Sequence, residues 1–246
     1  MNIRIVAREI KREIWPMLRG HGFSKFSEKT AWRYLPEQIY VVNFQSFNRY
    51  LADGLGCTTF SFALNLGIYF KAIPEIGKVN GKPDPSEAPQ ASDCHFRHSL
   101  LKGITQPSVC RSIWPAELDD PGEALAKVRD VLQTPLAPRP DIWIVDPDGA
   151  NLSAVVADAR TVLEREGLSW FAKHQSMEYV LEVLLAGGHV PQFYSAVDSP
   201  VGKHVIGHLA QSLGRHDIAV QMLADADREF KSIEARFAPF RRRKRK

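Results

Sequence analysis

The sequence predicts an α+β protein: an antiparallel meander sheet packed against an N-terminal helix and later helices, followed by a C-terminal α-hairpin. Three observations predict it. In Thr58 to Phe70, Phe60, Phe62, Leu64, Leu66, Ile68 and Phe70 alternate with Thr59, Ser61, Ala63, Asn65, Gly67 and Tyr69. A period of two marks a half-buried strand, expected at the centre of the sheet. Residues Asn2 to Leu18 instead repeat Ile3, Val6, Ala7, Ile10, Ile14, Met17 and Leu18 at helical spacing. Beyond Ser199 the chain reads as two amphipathic helices joined at Gly214. The expected division is an α+β domain over 1–175, a helical hairpin region over 176–240 and a basic tail over 241–246.

Each element has its local reasons. Pro16 cannot donate to the carbonyl of Arg12, so the first helix kinks or restarts there before Gly20 and Gly22 end it. Trp32 and Tyr34 alternate around Arg33, Pro36-Glu37 supplies a turn, and Tyr40, Val42 and Phe44 alternate with Val41, Asn43 and Gln45, which predicts two strands of a meander. Asp53-Gly54 and Gly56 are assigned to the loop before the central strand. Pro83, Pro85 and Pro89 make Lys78 to Ser92 an exposed, poorly ordered loop.

Cys94 to Leu101 offers another strand, with Phe96 and Leu100 inward and His95, Arg97 and Ser99 outward. Asp120-Pro121 with Glu123 reads as a capped helix start, and the three prolines of Thr134 to Pro140 require extended chain. Asp141 to Asp146 is an edge strand or a helical turn. Helices follow at Asn151 to Glu166 and Ser176 to Ala186, the latter closed by Gly187-Gly188. Ser199-Pro200 opens the last pair, whose turn resembles that of a tetratricopeptide hairpin; with no second copy in the chain, a docked hairpin is expected rather than a solenoid.

Composition narrows the class. At 246 residues, 44% hydrophobic and 24% charged, the chain is ordinary globular material. The N-terminus has no uninterrupted apolar core of a secretory signal, and no stretch is long and apolar enough to span a membrane. Cys57, Cys94 and Cys110 are an odd number, read as reduced thiols in a cytoplasmic protein. The formal charge of +4 is uneven: Arg241, Arg242, Arg243, Lys244, Arg245 and Lys246 carry +6, which leaves −2 for everything before them. Like charges without an apolar face predict a tail that is disordered in isolation and available to a nucleic acid.

With the helix ending in GHGFSKF, then TAWRYLP, IYVVNFQSFN, FALNLGIYF and CHFRHSL in that order, the chain resembles a bacterial family known as domain of unknown function four-three-zero-four, over Ile3 to Gln175. The resemblance implies a bacterial cytoplasmic setting. It implies no activity and no catalytic residue.

The candidate site residues come from the strand alternation. If the larger apolar residues face inward, then Arg33, Asn43, Gln45, Ser61, Asn65, His95 and Arg97 share the other face. Amides with two guanidiniums suit a carboxylate, a phosphate or a partner's backbone. A sheet covered on one side also has a polar second face for no functional reason, and that plainer reading competes. Cys94, His95, His98 and Cys110 are the sole cluster with metal-ligand chemistry, but they lack the paired spacing of a zinc site, so neither metal nor cofactor is expected. Asp141, Asp146 and Asp148 fit a turn better than a hydrolase centre. No nucleophile elbow, phosphate loop, HExxH or GxGxxG occurs. The sequence therefore favours a non-enzymatic protein that binds a protein partner. Its alternatives are weak nucleic-acid association through the tail and a hydrolase using Asp146, Asp148, His95 and Arg97.

Overall fold

A computed structural model describes residues 3–74, 87–107, 139–187 and 190–243. Most of the proline-rich loop, the helix start at Asp120, Cys110, Gly188 and Lys244 to Lys246 lie outside the described residues.

Helix α1 (Ile3–Glu13) and α2 (Trp15–Gly20) meet at Ile14, and Pro16 occupies the first turn of α2. Proline is tolerated there because the N–H it lacks has no intrahelical acceptor in a first turn. Strand β1 (Lys25–Phe26) pairs antiparallel with β2 (Thr30–Tyr34), Lys25 opposite Trp32 and Phe26 opposite Ala31. Two residues are too few to show a period, so β1 has no sequence signal. Strands β3 (Gln38–Ser46), β4 (Phe62–Phe70) and β5 (Phe96–Ser99) complete the order β1-β2-β3-β4-β5. The short β6 (Ile142–Trp143) pairs antiparallel with β4, Trp143 opposite Phe62 and Ile142 opposite Ala63.

Three expectations are corrected around β4. The stretch before it contains helix α3 (Arg49–Leu55), where a loop was expected. Asn48 Oδ1 caps its start by accepting the Leu51 N–H at 2.8 Å, and Gly56 closes it in the left-handed region at φ +76°. The strand itself begins at Phe62 because Thr58 to Ser61 is consumed in a turn: Ser61 N–H donates to the Thr58 carbonyl at 3.1 Å, and Thr58 N–H to Ser61 Oγ at 3.2 Å.

The third correction concerns burial, since β4 is covered on both faces with Asn65 as its half-buried exception. On the face expected to be open, Ala63 packs in a small cluster with Phe47, Ala52 and Ile142, flanked by Leu51 and Leu55 of α3.

Contacts divide the chain into two units, and β2 to β5 each contribute residues to both. The first comprises Met1–Arg33, Val41–Leu66 and His98–Ser169. Its core runs through a chain of rings: Trp15 edge-on to Phe44 (5.7 Å between centroids), Phe44 edge-on to Phe62 (5.5 Å) and Phe62 stacked on Trp143 (5.9 Å). Helix α1 packs Val6 and Ile10 inward, followed by Ile14 at the junction with α2, and α4 (Leu152–Val162) lies beside it with Val155, Val156 and Ala159 buried.

The sequence places a single helix over Asn151 to Glu166, whereas α4 ends at Val162. A π-turn over Leu163–Gly167 then leads into α5 (Leu168–Lys173). Gly167 packs tightly at this bulge: a Cβ there would fall 2.7 Å from Leu163 Cδ1, the end of a flexible side chain that would have to turn aside.

The second unit comprises Tyr34–Tyr40, Gly67–Arg97 and Trp170–Lys246. Tyr40 stacks on Phe171 at 4.6 Å, and Phe96 meets Phe70, Phe193 and His174. Ser176 and Ser199 cap α6 (Met177–Leu185) and α7 (Pro200–Ser212), each hydroxyl accepting a backbone N–H three residues on. Helix α7 pairs with α8 (His216–Arg243) at a close approach where Gly207 lies against Leu223. The α8 backbone continues through Arg241, Arg242 and Arg243, so half of the expected tail is the end of a helix.

Candidate functional site

In the first unit, three adjacent strands place polar side chains in a row. Asn65 Nδ2 donates to Gln45 Oε1 at 2.8 Å, and Ser99 Oγ donates to Asn65 Oδ1, also at 2.8 Å. The row follows from strand geometry, which turns alternate residues of β3, β4 and β5 to the same face and brings neighbours within hydrogen-bond reach. Gln45 and Ser99 are exposed and Asn65 is half-buried between them. Close by in sequence, Asn43 Nδ2 donates to Thr30 Oγ1 at 2.8 Å, and Lys29 Nζ donates to Ser46 Oγ at 2.5 Å.

Gln45 and Ser99 each spend one group on Asn65, Asn65 spends one on each of them, and all three keep others. Gln45 retains its amide N–H pair, Asn65 its second amide hydrogen and Ser99 its lone pairs. The row can therefore recognise an acceptor-rich or backbone-like partner with side chains already held in place. It contains no group that changes protonation near neutral pH.

The other predicted site residues are used differently. Arg33 lies over Gly22, where a Cβ would come 3.2 Å from its Nε. Ser61 is fully buried, and its Oγ accepts the Val145 N–H at 3.2 Å, tying the turn before β4 to the chain after β6. In the second unit, His95 is buried and its Nδ1 accepts the Phe70 N–H at 3.1 Å. Burial, with the positive charge of Arg97 and the proximity of His204 added, holds its pKa down at about 3. It is a neutral structural histidine. Arg97 Nε donates to the Cys94 carbonyl at 2.8 Å, its Nη2 donates to the Ser92 carbonyl, and its guanidinium lies 5.2 Å from the Tyr194 ring centre. These contacts fold the segment before β5 onto the strand. Ser99, by contrast, belongs to the row although the sequence singled it out only as outward-facing; the alternation along β5 was the available signal.

Reactive groups are likewise absorbed. Burial pushes the Cys94 thiol well above its ordinary range, and Cys57 is raised for the same reason. Asp148 Oδ1 accepts the Ala150 N–H at 3.0 Å, and Asp146 N–H donates to Asn151 Oδ1 at 2.9 Å, which is turn and helix-entry chemistry before α4. Asp141 is held below the usual carboxylate range, chiefly by hydrogen bonds from Arg139. Among the described residues, no group of three or more His, Cys, Asp or Glu side chains is placed to hold a metal. No described helix is long and apolar enough to cross a membrane.

A cavity of about 560 Å³ opens within the second unit among Leu184, Val190, Val197, Ile206 and Met222. Lys203 at its edge is already paired with Glu229, so the cavity offers apolar volume with its cation committed.

No curated protein and no solved structure matches the chain. The order of helix, meander and strand motifs does correspond to one family model, which matches residues 14–173 and spans α2 to α5. That match covers well over half of the chain, and the protein belongs to the family described as Domain of unknown function (DUF4304).

Proposed function

We propose that the protein is a non-enzymatic bacterial cytoplasmic binding protein, and that it recognises a protein partner through the row Gln45, Asn65 and Ser99. The observation that carries this reading is the row itself: hydrogen-bonded side chains from three strands, held ready and partly exposed, with amides and a hydroxyl that can recognise but cannot act as acid or base near neutral pH. Cys94 and His95 are buried, the Asp148 carboxylate is held in the turn before α4 and that of Asp141 is paired with Arg139.

The test is crosslinking mass spectrometry of the full chain in cell extract, comparing wild type with the Gln45→Ala, Asn65→Leu double variant. Crosslinks from β3 and β5 to one protein should disappear in the variant while its circular dichroism is retained. A partner captured equally by the double variant would show that recognition lies elsewhere. A second reading, nucleic-acid association through Arg241 to Lys246, is favoured by the six consecutive cations.

A further inference from the structure

The body's net charge of −2 hides a strong segregation. Residues 1–33 contain eight lysines and arginines against three glutamates, a net +5, so residues 34–240 carry −7. All of the basic segment belongs to the first unit.

Helix geometry orders these cations. At 3.6 residues per turn, Arg4, Arg8, Lys11 and Arg12 fall within an arc of about 100° on α1. Val6, Ile10 and Ile14 occupy the buried side. Glu9 and Glu13 lie between those two faces, on the flank that meets α4: Ser153 Oγ donates to Glu9 at 3.0 Å, and Arg160 pairs with Glu13 at 3.8 Å. Arg12, at the arc's edge, is held by both glutamates. Arg4, Arg8 and Lys11 are exposed, and neither Arg8 nor Lys11 pairs with a carboxylate among the described residues.

Further along the same segment, cations sit on aromatic rings. Arg19 lies 4.7 Å from the centre of Phe26, and Lys25 lies 5.9 Å from that of Trp32. Such pairs hold a long cationic side chain in position without neutralising it.

We infer that the exposed basic face of α1 is a docking surface for the phosphate backbone of a nucleic acid. Arg4 to Lys11 spans about 10 Å along the axis, over which one strand of a duplex presents about three phosphates. A membrane fits less well, because the apolar face of α1 is spent on the core and an interfacial helix must insert that face. This surface is separate from the polar row and from the C-terminal tail, so its test must distinguish all three.

The experiment measures fluorescence anisotropy of a labelled RNA of about 20 nucleotides, and of a duplex DNA of similar length, from about 50 to 200 mM salt. It compares the full chain with Arg8→Glu, Lys11→Glu and, separately, with Arg241→Ala, Arg242→Ala, Arg243→Ala. The charge reversal should weaken binding at least about tenfold and lower the log–log salt slope by about two, because two phosphate contacts are lost. The tail variant should keep a component that the reversal still removes. Arg8→Gln, Lys11→Gln serves as the second variant if the reversal perturbs folding, with the same direction expected. The inference is overturned by unchanged affinity and slope in a folded α1 variant, by no binding of the intact chain at the lowest salt, or by binding to phosphatidylserine vesicles alone. Gln45→Ala, Asn65→Leu should leave RNA binding intact, so failure of the polar-row reading and failure of this one are separately visible.

Discussion

The sulfur of Cys94 occupies the space that a side chain at Gly67 would need: a Cβ there would fall 2.4 Å from Sγ and 2.8 Å from Cβ of Cys94. Glycine in the middle of β4 is thus a packing requirement, since it lets the segment before β5 lie directly on the strand. Gly67→Ala is expected to cost about 1–3 kcal/mol through overpacking. Cys94→Ala in the same chain should recover part of the loss by removing the nearer atom. Urea denaturation of both variants checks this; wild-type stability in Gly67→Ala would refute the contact.

His95 makes stability depend on pH in a defined direction. Its folded pKa of about 3 lies below the unfolded value of about 6.5. Between those values the unfolded chain binds a proton that the folded chain refuses, so stability falls as pH drops through the window, by up to about 1.4 kcal/mol per pH unit. His95→Asn keeps an acceptor for the Phe70 N–H and removes the titration. Denaturation midpoints at pH 6.5 and 4.5 should therefore differ less in the variant than in the wild type.

Asp158 satisfies a donor in the core. Its Oδ2 accepts Trp143 Nε1–H at 2.8 Å and the Gly103 N–H at 3.0 Å, and Trp143 is fully buried. Asp158→Ala leaves that indole unpaired and should cost about 1–3 kcal/mol. Adding Trp143→Phe removes the orphaned donor, so the double variant should lose less than the sum of the two single losses. Additive losses in thermal melts would refute the pairing.

Arg97 is expected to behave as a structural clamp. Its side chain serves the carbonyls of Cys94 and Ser92 and lies against Tyr194. Arg97→Ala should lower stability by about 1–3 kcal/mol, whereas an exposed arginine would change it by about 0.5 kcal/mol at most. Arg97→Lys should restore only part, because an ammonium lacks the planar fork that reaches two acceptors. Calorimetric melting of the three proteins separates these outcomes.

Local rules made much of the fold legible. The period of two around Leu64 and Leu66, the helical stripe of Val6, Ile10 and Ile14, the restart at Pro16 and the caps at Ser176 and Ser199 each depend on residues within a turn or two of one another. The same locality marked Gln45 and Asn65 as facing away from the apolar side of their strands, and α3 carried the signals of Asn48 and Gly56 at its two ends.

What the sequence determined by itself was therefore the type of most elements, the alternation of the strands and the family. Only the tertiary structure decided which polar residues of that alternation remain available. Ser61 and His95 follow the same periodic rule as Asn65, yet both are buried and bonded to backbone groups far away in sequence, at Val145 and Phe70. Periodicity states which side of a strand a residue takes; what covers that side is set by segments arriving from elsewhere in the chain. Here α3 covers Ala63 and Cys94 covers Gly67, while Gln45, Asn65 and Ser99 join in a row through contacts 20 and 34 residues apart in sequence. No local pattern encodes such pairings, because they depend on strand register and on the removal of water by distant parts of the same chain.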